Sequence, residues 1–359
     1  MDHRQASSLK AGSRLLVAVF VFTAAPVRLR AMPVYGEDSR QEPYQVSNPA
    51  VRRLVDSTAA LVFKNDLNKA SPRGDIPVYN LPYNEVPRES VDGISSQSKK
   101  ETIPLDPRQR FYGQPQLAGC SGALIAPDVV VTAGHCLDKS LGGNRCSELA
   151  LVFGFWRDKS AKASTSFAPN DVYYCRKAVH AARLSDDNDQ DEDWGLILLD
   201  RPVQGRKPLA VDSAGRIASG MRVFAIGYPW GIPAKITGAA PVSNAGKSVF
   251  EANLDVFKGN SGSPVFNADT LEIEGVAVSE SYNDFTLQSD GKAGVSVRGA
   301  NDPKGAGVER VSVILPHLRE LRDSGRAQTV ARKALSSGLH GSQAFGALSE
   351  IAASRTLFR

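Results

Sequence analysis

The 359-residue sequence predicts an all-β protein, either a barrel or a sandwich, on three observations. Short runs rich in Val, Ile, Leu and aromatics recur from about residue 116 onward, turn-formers separate them, and only one late stretch carries a helical repeat. A chain that is 42% hydrophobic and 23% charged with only 4 cysteines is neither collagen-like, nor wholly disordered, nor a disulfide-dense miniprotein.

The elements follow in chain order. Lys10 and Arg14 precede an apolar run, Leu15 to Ala25, that Pro26 ends. A basic start, a short apolar stretch and small residues after it are the parts of a secretory signal peptide, assigned to 1–31. Eleven helical residues rise only about 16 Å, half a bilayer core, so the run is too short for an anchor. Residues 66–108, rich in Pro, Asn, Ser and charge, read as an extended loop or linker. Strands are expected at 117–125, 129–133, 149–156, 172–179, 194–199, 221–227, 248–254, 264–266, 271–278 and 308–314. Leu315, Leu318 and Leu321 recur every three residues and predict a short helix over 315–324. The Ala-, Ser- and Gly-rich tail 326–359 reads as flexible or weakly helical.

The net charge of +5 sits at the ends: residues 1–31 and 326–359 carry +4 each, leaving −3 for the body. No basic stripe interleaved with aromatics appears between them, which argues against a nucleic-acid partner. There is no His-Glu-x-x-His, no Cys-x-x-Cys and no Walker loop. The chemistry-bearing stretches are Thr132-Ala-Gly-His135-Cys136, Asp193-Trp-Gly-Leu-Ile-Leu-Leu199 and Gly259-Asn-Ser261-Gly-Ser-Pro264, spaced 58 and 68 residues from His to Asp to Ser. A serine hydroxyl attacks a carbonyl only when an imidazole takes its proton, and the imidazole needs a carboxylate to fix its tautomer. Asp191, Glu192 and Asp193 compete for the acidic role; Asp193 is chosen because the apolar strand begins directly after it. The run's alternating Asp187, Asp189 and Asp191 resemble a calcium loop but lack its glycine. Glycines flank Ser261, so the chain there can turn sharply and aim the Gly259 and Ser261 amides at one point, an oxyanion hole.

On these three stretches, with Cys120-Ser-Gly-Ala-Leu-Ile before the histidine, the sequence resembles the trypsin-like serine proteases. Asn-Ser-Gly-Ser at the nucleophile, with Ala252-Asn-Leu-Asp-Val-Phe-Lys before it, is similar to their bacterial V8-like, glutamyl endopeptidase-like branch. Tyr35 to Arg40 also looks like the N-terminal stretch of such enzymes. The resemblance covers about 116–316 and implies two six-stranded antiparallel β-barrels with a short C-terminal helix and the triad in the cleft between them. It also implies a disulfide from Cys120 to Cys136, which leaves Cys146 to Cys175, although four cysteines allow three connectivities. Ser279 would then bind substrate backbone, and Asp255, six residues before Ser261, would lie at the base of the specificity pocket and favour a basic side chain. Lys258 and Glu280 fall near that pocket's mouth. Trypsin-type members carry Asp where this chain has Asn260; an amide cannot pair with a freed N-terminal ammonium, so any activation differs and runs through leader removal, with or without trimming within 32–110.

The expected organisation is 1–31 signal peptide, 32–108 N-terminal segment and loop or propeptide, 109–325 protease domain and 326–359 tail. The expected function is a secreted or periplasmic serine endopeptidase with protein or peptide substrates, no cofactor, no metal and no stable membrane span in the mature chain. A catalytically silent trypsin-fold binding or adhesion protein is the alternative and requires a damaged triad.

Overall fold

The computed structural model describes residues 34–71, 74–91, 101–138, 145–160, 162–183, 192–279, 284–289, 291, 293–296, 298–299, 305–318 and 321. The leader 1–31, the tail 326–359, the acidic run through Asp191 and Glu280 lie outside them.

The first barrel is built from β1 (Thr58–Phe63), β2 (Cys120–Ala126), β3 (Val129–Thr132), β4 (Leu149–Phe153), β5 (Val172–Arg183) and β6 (Glu192–Leu199). It closes in the order β4-β5-β6-β3-β2-β1, with β1 returning to β4 through Leu149↔Phe63 to Phe153↔Ala59. Branched residues dominate its short strands because two heavy atoms on Cβ suit a pleated surface packed from both sides. Val129, Val130 and Val131 are all fully buried, as are Leu151, Val152 and Phe153. Each such large apolar side chain contributes about 1.5–3 kcal/mol on leaving water.

The second barrel uses β7 (Arg222–Gly227), β8 (Ala240–Ala245), β9 (Val249–Ala252), β10 (Pro264–Asn267), β11 (Ile273–Ser279) and β12 (Ala306–Arg310). Its order is β7-β8-β9-β12-β11-β10, closed by β10 pairing with β7, while Lys235–Ile236 extends β7 outside the ring. Residues 311–318 and 321 are helical. That helix starts four residues before the expected one because its buried positions are Val311, Ile314 and Leu321, with Leu318 packed beside them. The three-residue leucine repeat therefore marks only part of the buried stripe.

One apolar cluster runs through both barrels, joining Val131 and Trp194 to Phe224, Ile226 and Phe266. At this seam the Tyr228 ring stacks on Phe155 at 5.9 Å, and its hydroxyl donates to the Thr58 carbonyl at 2.9 Å. The two barrels are thus held at a fixed relation, and the loops that meet above the seam carry the candidate site.

Two expectations change. The boundary at 109 is displaced, because Thr58–Phe63 is a strand of the first barrel and not part of a removable segment. Residues 66–108 are not a plain linker either. They contribute Ile76–Pro77, Leu81–Pro82, Glu85–Pro87 and Thr102–Pro104, and each joins a two-stranded ribbon. Tyr83, Val86, Val91, Ile103 and Leu105 form a separate small core with Ile232 and Phe285 of the second barrel's loops.

Candidate active site

His135 follows β3 at the tight turn Ala133-Gly134. A Cβ on Gly134 would lie 1.7 Å from the Ala181 carbonyl oxygen, so only glycine lets the loop press this closely on β5. Asp193 is the second residue of β6, only 1% exposed. The carboxylate makes two bonds to His135: the backbone N–H donates to Oδ1 at 2.8 Å, and Nδ1 lies 2.7 Å from Oδ2. A carboxylate partner places the proton on Nδ1 and leaves the Nε2 lone pair for the cleft. The imidazole is 42% exposed, so one edge is fixed in the protein and the other is open to a reactant.

Ser261 is 4% exposed, on the loop between β9 and β10. Its carbonyl accepts the Ser121 N–H at 2.8 Å, which ties the Ser261 loop to β2 of the other barrel. Ser121 Oγ donates to the Gly259 carbonyl at 2.7 Å. The Lys258 backbone is held at both its groups: Trp230 N–H donates to its carbonyl at 2.5 Å, and its own N–H donates to Asp284 Oδ2 at 3.1 Å. Carbonyl and N–H point oppositely in a trans peptide, so anchoring Lys258 O on Trp230 turns Gly259 N–H the other way. Gly259 sits at φ +91°, and a Cβ there would lie 2.4 Å from the Tyr228 carbonyl oxygen. Asp284 is fully buried, and loss of water pushes its pKa up to about 7. Trp230 holds a left-handed φ of 52°, an unusual conformation for a bulky residue. Neither residue is singled out by the sequence; the only trace is the Pro-x-Gly turn that contains Trp230.

His135, Lys258, Gly259 and Ser261 line one cavity of about 390 Å³, together with the Cys120 and Cys136 positions. The expected bridges are present, Cys120 to Cys136 and Cys146 to Cys175. The first lies beside the histidine ring, its sulfurs grouped within 4.8 Å of a ring nitrogen. Disulfide sulfurs offer no thiolate, so this cluster is a wall of the cleft and not a metal centre.

Asp255 requires a correction. It does not stand open at the base of a pocket: Tyr35 N–H donates to Oδ1 at 2.9 Å, Ser39 N–H to Oδ2 at 2.7 Å, and the Ser39 hydroxyl also donates to Oδ2. With 2% exposure and three donors from the N-terminal segment, the carboxylate is consumed internally. Arg40 of the same segment pairs with Asp38 at 2.7 Å and lies 4.0 Å from the Phe257 ring centroid, clamping the loop that leads to Ser261. Lys258 does not compensate Asp255; its ammonium bonds Ser90 Oγ at 3.2 Å and lies over Trp230. Ser279 ends β11, opposite Gly307. Asn260 Oδ1 accepts from the Ser263 hydroxyl at 3.2 Å, so the amide serves its own loop.

Residues 120–276 match the family described as the trypsin-like peptidase domain. The chain is structurally similar to a Glu endopeptidase solved in complex with MPD, at 16% identity and a TM-score of 0.44 over 80% of this chain and 98% of that one. No curated protein matches the sequence.

Proposed function

We propose that this chain, a serine peptidase of the chymotrypsin fold carrying a trypsin-like domain at residues 120–276, cuts peptide bonds through Ser261, His135 and Asp193. The observation that carries this is the two-point contact of His135 with buried Asp193 in a cavity shared with Ser261 and Gly259. His135 Nε2 takes the Ser261 hydroxyl proton as Oγ attacks the scissile carbonyl. The oxyanion that forms is met by the N–H groups of Gly259 and Ser261, each such donor being worth about 3–4 kcal/mol in the transition state. His135 then passes the proton to the leaving nitrogen, the C–N bond breaks, and an acyl ester on Ser261 remains. Water, deprotonated by the same imidazole, releases the acid and restores the hydroxyl.

Asp193 holds the tautomer and stabilises the imidazolium without accepting its proton. The silent-scaffold alternative requires a broken site, and the intact His135–Asp193 contact disfavours it. With Asp255 committed to residues 35–39, the expected preference for basic side chains loses the carboxylate it rested on. Export is supported by two disulfides, which persist in oxidising compartments. Among the described residues no helix is long and apolar enough to cross a membrane. Processing is confined to the chain before Val34, because trimming further removes Asp255's partners and then β1. The test is Asp193→Asn: kcat falls by about 10⁴ with KM little changed, because the imidazole takes the wrong tautomer. Peptide hydrolysis at the wild-type rate by Asp193→Asn would sink the assignment.

A further inference from the structure

Beyond the reacting groups, the cavity of about 390 Å³ extends along the first barrel, over Leu61, Val62, Phe63, Arg145 and Leu149. Phe63, the last residue of β1, is 40% exposed, an unusual position for a large aromatic beside a reactive serine. The Arg145 guanidinium lies 5.7 Å from the Phe63 ring centroid. Arg145 forms no salt bridge among the described residues, and none of the described lining residues is a carboxylate. Lys258, the other cation among them, bonds Ser90 Oγ and interacts with Asp284. An apolar floor, one exposed aromatic and one cation, Arg145, with no carboxylate partner among the described residues describe a site for an apolar side chain followed by an anionic one.

The direction of the bound chain follows from the chemistry and rests on the peptidase reading above. His135 gives its proton to the leaving nitrogen, so the departing peptide lies against the imidazole and whatever flanks it on the side away from the acyl chain. The disulfide and the end of β1 flank it: Leu61 pairs with Cys120, and Gly119 N–H donates to the Leu61 carbonyl at 2.9 Å. Among the described side chains, none from β11 lines this cavity.

We infer that Phe63, Leu149 and Arg145 form a specificity site for the leaving side of the substrate, which accepts an apolar residue after the scissile bond and a carboxylate beside it. Selection therefore falls largely on the sequence that follows the cut, a role distinct from that of the acyl-side pocket. The carboxylate comes from an Asp or Glu of the substrate and reaches Arg145 with bidentate geometry.

The test uses internally quenched peptides with one acyl-side sequence and two varied positions after the scissile bond. Wild-type enzyme is expected to cleave the Leu-Asp member with kcat/KM about tenfold above Leu-Lys and about tenfold above Ser-Asp. Arg145→Glu inverts the Asp/Lys ratio, Arg145→Gln brings it near unity, and Phe63→Ser erases the Leu/Ser ratio. A wild-type enzyme that cleaves all members alike overturns the site while leaving the peptidase reading intact. So does Arg145→Glu with an unchanged Asp/Lys ratio. If wild type cleaves no member, the peptidase reading falls and the site with it.

Discussion

Replacing Asp255 separates two roles for one carboxylate. In the structure it binds the N-terminal segment through Tyr35 N–H, Ser39 N–H and the Ser39 hydroxyl, and it is almost wholly buried. Asp255→Ala leaves those three donors facing apolar surface. At about 1–2 kcal/mol for each unpaired buried donor, the docking of the N-terminal segment loses about 4 kcal/mol. That corresponds to roughly a thousandfold faster hydrogen exchange at the Tyr35 and Ser39 amides, measured under native conditions. Asp255→Asn keeps one oxygen and is expected to lose less than half as much. Because the carboxylate does not reach the cleft, the ratio of kcat/KM for peptides cut after Arg to those cut after Glu stays unchanged in both variants. Unchanged exchange at Tyr35 and Ser39 with a selective loss of cleavage after Arg would refute this reasoning and return Asp255 to the specificity pocket.

Gly259→Ala forces an L residue to φ +91° with its Cβ 2.4 Å from the Tyr228 carbonyl oxygen, so the peptide that carries the proposed oxyanion donor must shift. Steady-state kinetics should show kcat down by about 10²–10³ with KM little changed. Lys235 is buried with Glu42 Oε2 at 3.3 Å, and burial outweighs that partner and brings its pKa down to about 7 from 10.5. Between those values the unfolded chain holds a proton that the folded chain has released, so stability rises with pH across the window. Lys235→Met should flatten this alkaline limb in denaturant titrations. Asp284 acts with the opposite sign: its pKa is raised from 3.8 to about 7, so the folded chain keeps a proton the unfolded chain has lost. Stability falls as pH rises through that window, and Asp284→Asn should remove the fall.

The loops that carry His135, Asp193 and Ser261 could be picked out as candidates because the proposed chemistry constrains residue types at fixed places. An imidazole on a Gly turn, a carboxylate at the mouth of an apolar strand and a serine between glycines have few other uses in that order. The strands with branched residues were legible for a similar reason, since Val129 to Thr132 and Asp193 to Leu199 are apolar enough to be buried whole. Thr58–Phe63 was hidden because it is buried at five consecutive positions and shows no alternation, next to a polar stretch. Ala240–Ala245 was hidden for the opposite reason: it contains Pro241 and only Val242 is buried, as suits a strand exposed along most of its length. Asp255 shows where spacing misleads. Its distance from Ser261 matched the expected pocket position, but its partners stand 216 and 220 residues away in sequence, and no local pattern reports them. The same holds for Asp284, which holds the Lys258 N–H from beyond β11.

The central claim is that Ser261 is a nucleophile activated by His135, and a fluorophosphonate probe tests it most directly. The probe phosphonylates an activated serine with loss of fluoride and ignores ordinary hydroxyls. Intact mass and peptide mapping of the folded protein should show a single adduct on Ser261, absent in Ser261→Ala and slowed by at least 10³ in His135→Ala. An adduct that persists in Ser261→Ala, or no adduct in folded protein with both disulfides formed, would contradict the account.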